Sequence, residues 1–357
     1  MKPVLIVGAG PVGAVCALAL QQQGVAAQVL EAQPGDARAD TRTLALSHGS
    51  RLILERLGAW ARLDDATPIT RIHVSQRGAL GVARLSAEEV NVPALGYVLP
   101  YASLAVVLKR ALADAGIAVD YGVAVTRIES GSEMASLHAA DGRVHAAPLV
   151  VVADGGRGDT APVPRFERDY DQTAVVCEVQ TELPHASQAF ERFTPEGPAA
   201  LLPKENRSAL VWTARRDDAE RIAALPDDAF LAALYRHFGG RQGLFLQASP
   251  RKTFPLKLAW TGSEAAARVV RIGNAAQTLH PVAGQGFNIG LRDAWELASL
   301  CGDTPANGVG FTDFLVRVFS NDSAPLRHAR GLGLLALEAL PPLKAFVARR
   351  MMFGARG

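Results

Sequence analysis

The chain has 357 residues, 49% of them apolar, which is long for one domain and short for three, so two closely packed domains are expected. Its 37 basic and 35 acidic residues leave a formal charge of +2, which argues against nucleic acid or a strongly acidic partner. Cys16, Cys177 and Cys301 are far apart and odd in number, so neither a metal site nor a disulfide framework is expected, and a reducing cytosol is the simplest home.

Val4 to Val7 is a short apolar run suited to a strand buried on both faces. Gly8, Gly10 and Gly13 follow as G-x-G-x-x-G: the first for a tight turn, the second for close approach of backbone to a pyrophosphate, the third for packing of the next helix. That helix is predicted from about Pro11 to Gln23, and its N-terminus, with Pro11 and Val12, offers N–H groups to phosphate. A second strand ends in Glu31, an acid placed to accept both hydroxyls of an adenosine ribose, which favours FAD or NAD over NADP. No signal peptide is expected ahead of the first strand, and no run reaches the roughly 18 apolar residues of a spanning helix.

Residues 33 to 41 read as a polar loop, and 47 to 63 as a helix capped by Ser47 with Leu52, Ile53, Leu57 and Trp60 on its apolar side. Residues 69–75 and 79–85 read as paired strands, and 103–116 as an amphipathic helix stopped by glycine. Leu149 to Ala153 is another apolar strand; Asp154 and Gly155 follow at its carboxyl end, where open α/β sheets bind ligands. From about 172 to 260 the sequence alternates like a mostly antiparallel sheet, interrupted by a helix at 227–238. Phe193, Leu201 and Trp212 stand on these strands, as pocket lining or as plain core. Residues 268–272 return to a buried strand before GNAAQTLHPVAGQGFNIGLRD, whose second half reads as a helix over 285–300. His280 reads as a structural histidine and Asp293 as a helix-face or salt-bridge residue. The remaining apolar helices, ending in a basic segment with Lys344, Arg349 and Arg350, suit either a packed terminus or a lipid-facing one.

Several segments, LIVGAGPVG, TRTLALSHGSRLILERLGAW, ITRIHVSQRG, VADGG, AFERFTPEGPAALLP and GNAAQTLHPVAGQGFNIGLRD, together resemble the group A flavoprotein aromatic hydroxylases of the para-hydroxybenzoate hydroxylase fold. Within that group the chain is most similar to the ubiquinone-biosynthesis hydroxylases of the 2-octaprenyl-6-methoxyphenol hydroxylase family. The resemblance implies an α/β fold: a Rossmann-like FAD-binding domain (1–70, 98–170 and 261–302) interleaved with a mostly antiparallel sheet substrate domain (71–97 and 171–260), then C-terminal helices (303–357). It places Gly8, Gly10, Gly13 and Glu31 on the ADP half of FAD, Arg42 on the pyrophosphate, and Asp154 and Gly155 near it. Gly273 and Asn274 would face the ribitol, and Pro281, Gly284, Gln285, Gly286, Phe287 and Asn288 the isoalloxazine. Ser103 stands where the family often has Arg or Gln against the flavin.

The implied activity is hydroxylation of a prenylated phenol in ubiquinone biosynthesis, with NAD(P)H reducing FAD and dioxygen captured as a flavin C4a-hydroperoxide; no metal is implied. Peripheral contact with the inner membrane face, or with a ubiquinone-biosynthesis complex, would suit such a substrate. Two other readings stay open: hydroxylation of a soluble aromatic acid, and a flavin-binding assembly subunit without turnover.

Overall fold

The computed structural model describes residues 2–35, 40–77, 82–156, 166–260, 268–278 and 285–303. The chain opens with β1 (Val4–Val7), α1 (Pro11–Gln22), β2 (Ala27–Glu31), β3 (Thr43–Ser47), α2 (His48–Arg56) and β4 (Thr67–Ile69). It continues through β5 (Arg71–Gln76), β6 (Val82–Ser86), β7 (Gly96–Pro100), α3 (Tyr101–Asp114), β8 (Ala118–Tyr121), β9 (Val125–Ser130), β10 (Ala135–Ala139), β11 (Val144–Ala147) and β12 (Val150–Val152). Then come β13 (Phe166–Thr181), β14 (Gln188–Thr194), β15 (Gly197–Lys204), β16 (Arg207–Arg215), α4 (Arg216–Ala224), α5 (Asp227–Phe238) and β17 (Phe245–Ala248). The last described elements are β18 (Lys252–Trp260), β19 (Val269–Arg271), β20 (Gln277–Thr278) and α6 (Gln285–Asp303).

Five parallel strands, in the order β19-β12-β1-β2-β8, form the nucleotide sheet. β1 lies at its centre, between β12 (Leu5 opposite Val150) and β2 (Val4 opposite Ala27), which is why its four residues are all buried. Alternation splits them between two cores: Val4 and Ile6 pack with α1, α3 and α6 through Val15, Leu104 and Leu291, while Leu5 and Val7 pack with Val125 and Leu137 of the β9–β11 sheet. Each such side chain contributes about 1.5–3 kcal/mol of burial.

The second large sheet runs β20-β18-β13-β16-β15-β14-β5-β6, with β17 on β13. Its pairs are antiparallel except β14 with β5, which are parallel. One face is covered by α5, whose Phe230, Leu234 and Phe238 pack on Leu201, Leu210 and Trp212. The other face meets the nucleotide half: Ala189 and Leu202 pack against Ile69 and Val98, and the Lys252 ammonium donates to the Thr41 hydroxyl.

Three local expectations change. The helix expected over 47–63 stops at Arg56, because Gly58 turns the chain at φ +70°, and Trp60–Arg62 forms a separate turn of 3-10 helix. Its fully buried residue is Leu54. The helix expected from Ser103 begins at Tyr101, since Pro100 supplies the entry. The sheet region holds a second helix, α4, whose Asp217 and Asp218 suit a helix start. Most of the segment 303–357 expected to be helical lies outside the described residues. Among the described residues no helix is long and apolar enough to cross a membrane.

Candidate functional site: a two-part dinucleotide groove

The three glycines of the first turn do different things. Gly8 sits at φ +104°, and a Cβ there would lie 2.7 Å from the Ala153 carbonyl oxygen at the end of β12. A Cβ on Gly13 would lie 2.0 Å from the Gly8 oxygen. These two are required by the protein's own backbone. A Cβ on Gly10 would meet only the Tyr101 hydroxyl, at 3.7 Å, so Gly10 faces open space. There α1 starts with Pro11 and no side-chain cap, leaving its first N–H groups for a ligand phosphate. The geometry therefore fits the FAD that the glycine pattern implies.

Glu31 closes one side of this turn. Its Oε2 accepts from the Ala9 N–H at 2.6 Å and its Oε1 from the Gln33 N–H at 2.8 Å. A carboxylate keeps further lone pairs after those bonds, so ribose hydroxyls can still be accepted. On the other side the Arg42 guanidinium pairs with Asp40 at 2.6 Å and lies over the Tyr101 ring, 5.1 Å from its centre. The Tyr101 N–H donates to the Arg42 carbonyl at 2.8 Å. Arg42 is thus held next to Gly10 through Tyr101, a residue the sequence reading did not single out; the Pro-Tyr step between strand and helix was its only signal. Ser103 turns instead to the carboxylate of Asp65.

The second part assembles around Val12. Gly273, at φ +58°, and Gly290 of α6 both pack on this side chain; a Cβ on Gly290 would lie 3.0 Å from Val12 Cγ2 and 3.1 Å from the Gly273 Cα. Only glycines allow the α6 and β19 ends to close this tightly on α1. Asn274 is exposed beside them, so its amide is open to a ribitol hydroxyl. Asp154 Oδ1 accepts from the Gly156 N–H at 2.9 Å, and a Cβ on Gly156 would sit 2.8 Å from the Asn274 oxygen. That turn therefore abuts the Gly273–Asn274 step, with Gly155 facing open space. Burial lowers the Arg271 pKa and the nearby Asp154 charge opposes the shift.

Two residues of α6 behave otherwise than expected. Asn288 is buried, and its Oδ1 accepts from the Ser47 N–H and the Ser50 hydroxyl, both at 2.7 Å, while its Nδ2 donates to the Ala45 carbonyl at 2.9 Å. Its amide ties α6 to β3 and α2, so its side chain is committed within the protein and only its backbone would be left for a ligand. Asp293 is half-buried, makes no salt bridge among the described residues, and accepts from the Gly273 N–H at 3.3 Å. Burial pushes its carboxyl up to about 7, against the lowering effect of that N–H. Gln285 starts α6, and Gly286 and Phe287 are half-buried in its first turn. Pro281, Gly284 and His280 lie outside the described residues.

The expected substrate trio is divided by strand alternation. Phe190 pairs with Leu201, and Leu201 with Leu210, while Trp212 pairs with Ala199. This puts Leu201 and Trp212 on the α5 face, 1% and 5% exposed, as core. Phe193 pairs with Pro198, on the opposite face. The face shared with Phe193 carries Ala200, Leu202 and Val211, all half-buried, and Glu191, whose carboxyl is raised by burial. Arg192 points the other way, as the alternation of Arg192 and Phe193 implied, toward Ser75.

The comparisons with known proteins agree with this geometry. The family described as FAD binding domain matches residues 1–302. Ubiquinone hydroxylase UbiL of Rhodospirillum rubrum is 34% identical over 98% of this chain and 89% of its own. The 3-demethoxyubiquinol 3-hydroxylase of Escherichia coli is 29% identical over 96% of both. Among solved structures, p-nitrophenol 4-monooxygenase PnpA of Pseudomonas putida superposes with TM-score 0.73 at 16% identity over 100% of this chain and 99% of that one. Klebsiella pneumoniae HpxO complexed with FAD and uric acid does so with TM-score 0.65 at 19% identity, over 99% and 90%. The α/β fold is thus that of the FAD-binding aromatic hydroxylases, and the chain belongs to the FAD-dependent monooxygenase family that includes the ubiquinone hydroxylases.

Proposed function

We propose that this FAD-dependent monooxygenase hydroxylates the aromatic ring of a prenylated phenol in ubiquinone biosynthesis, with NAD(P)H and dioxygen as co-substrates. The observation that carries the reading is the meeting of two sequence-distant nucleotide elements, Gly10 at the start of α1 and Gly273–Asn274 before α6, on either side of Val12. The names of the relatives supply the pathway. Bound FAD, once reduced, supplies activation of dioxygen for transfer of one oxygen atom to an electron-rich ring.

The chain's own residues hold and orient. Gly8, Gly10, Gly13 and Glu31 would take the ADP half, Arg42 the pyrophosphate, and Asp154 and Gly155 would close beside it. Gly273 and Asn274 would take the ribitol, and the residues from Pro281 to Asn288 would bring backbone N–H groups toward the ring system. Phe193, Ala200, Leu202 and Val211 give the sheet face an apolar centre, which suits a prenylated ring and leaves a free carboxylate unmatched. Glu191 on the same face can bond a phenol hydroxyl. A lipid-soluble substrate would bring the protein to a membrane surface or a biosynthetic complex. Profiling quinone intermediates in cells lacking the protein tests the reading: a prenylated phenol short of one ring hydroxyl should accumulate, and an unchanged profile would refute it.

A further inference from the structure

We infer that the cleft between the C-terminal end of α5 and strands β5 and β14 binds a small oxyanion of the carboxylate or phosphate class. The cleft is small and opens to solvent, and it lies on the α5 face of the large sheet, opposite the face of Phe193. Arg192 and Arg241 both line it, with Ser75, Phe190, Gln242 and Glu191, whose side chain belongs to the opposite face of the strand.

The charges there are unbalanced. Arg77 is matched by Glu196 at the rim. Arg192 and Arg241 have no carboxylate partner among the described residues. The Arg192 Nη1 only reaches the Ser75 hydroxyl at 3.4 Å, and its Nε is buried without a partner. Burial and the like charges of Arg241 and Arg77 hold its pKa below the ordinary value. An anion between Arg192 and Arg241 would relieve both the repulsion and the unpaired N–H, and the guanidinium fork suits a planar or tetrahedral oxyanion.

Gln242, which lines the cleft, fits the same ligand, and His237 packs on the lining Phe238 without lining the cleft itself. Gln242 is 5% exposed and its Oε1 has no partner; the reversed amide would present Nε2 to an anion, and the two orientations differ only in assignment. His237, also 5% exposed, has an unpartnered Nε2 and is kept neutral by burial, its pKa lowered to about 4. It adds no charge of its own. Buried polar atoms left unpaired are costly, so a cleft that holds the Arg192 Nε and the Gln242 Oε1 in this state beside Arg241 calls for a ligand.

The test is thermal unfolding of the FAD-loaded protein in sodium formate or sodium phosphate, against sodium gluconate at equal ionic strength, whose carboxylate carries a long polyol chain that hinders its entry. A saturable rise in Tm of roughly 2–4 °C over gluconate is expected. Whichever of formate and phosphate saturates lower identifies the source. Arg192→Gln and Arg241→Gln should each raise the half-saturating concentration about tenfold; Arg241 is exposed, so its variant keeps the test valid if Arg192→Gln does not fold. Equal Tm in formate, phosphate and gluconate would overturn the proposal, as would half-saturation unchanged in Arg241→Gln or chloride saturating as tightly as either oxyanion.

Discussion

The Gly273 N–H donates to the half-buried carboxyl of Asp293 at 3.3 Å, so a group on α6 fixes the backbone of the Gly273–Asn274 step, the proposed ribitol contact. Burial, reinforced by the like charge of Glu296, outweighs the Gly273 N–H and the Arg292 charge and raises the pKa of that carboxyl from 3.8 to about 7. Between those two values the folded protein holds a proton that the unfolded chain has lost. The stability contributed by Asp293 therefore falls as pH rises through that window and is level above it. Asp293→Asn should gain on the parent by about 1.4 kcal/mol per pH unit within the window. Urea unfolding of both proteins at pH 5, 6, 7 and 8 checks this; a stability difference constant across the series would contradict it.

The glycine turn separates ligand approach from folding. Gly10→Val should fold and lose FAD, because only space and the Tyr101 hydroxyl lie before it. Gly13→Ala should lose the fold, because its Cβ would overlap the Gly8 oxygen. Glu31→Ala should weaken FAD by about 1.5–3 kcal/mol, the worth of a charge-assisted hydrogen bond. Circular dichroism beside flavin fluorescence titration distinguishes these outcomes, and full FAD affinity in Gly10→Val would contradict the assignment.

On the large sheet, Leu201→Ala should cost about 2–5 kcal/mol of stability as a core truncation and leave substrate KM unchanged at temperatures where it is folded. Val211→Trp, on the other face, should alter KM far more than Tm. Steady-state kinetics beside thermal unfolding measures both; a KM effect confined to Leu201→Ala would reverse the assignment of the two faces.

Asn288→Ala removes an acceptor shared by Ser47 and Ser50 and takes the side-chain donor from the half-buried Ala45 carbonyl. A loss of about 1–3 kcal/mol is expected. Hydrogen exchange should rise at Ser47 and Ser50, and unchanged protection there would argue against the clamp.

Much of the groove was legible because its signals are local. Four apolar residues, three glycines at fixed spacing and an acid at the end of the next strand each state a backbone requirement, and β1, α1 and β2 formed accordingly. The sequence over 227–238 likewise gave α5. What could not be read was which sheet face that helix covers. Alternation correctly set Arg192 against Phe193, but the phase of β15 and β16 relative to them depends on register, and Leu201 and Trp212 fell to the α5 side. Asn288 and Asp293 show the same limit. Their residue types suggest a ligand contact and a helix-face or salt-bridge residue, and only the docking of α6 on β3, α2 and Gly273 reveals a clamp and a carboxyl turned to the Gly273 N–H.

The central claim, a flavin monooxygenase acting on a neutral prenylated phenol, is tested most directly by substrate-stimulated NAD(P)H oxidation with product detection. The FAD-loaded protein would be offered a short-chain prenyl methoxyphenol and, separately, para-hydroxybenzoate. The account predicts faster oxidation and a hydroxylated product with the prenyl phenol only. Coupled hydroxylation of the acid with none of the prenyl phenol would contradict the substrate class, and tightly bound flavin with no stimulation by any phenol would contradict turnover itself.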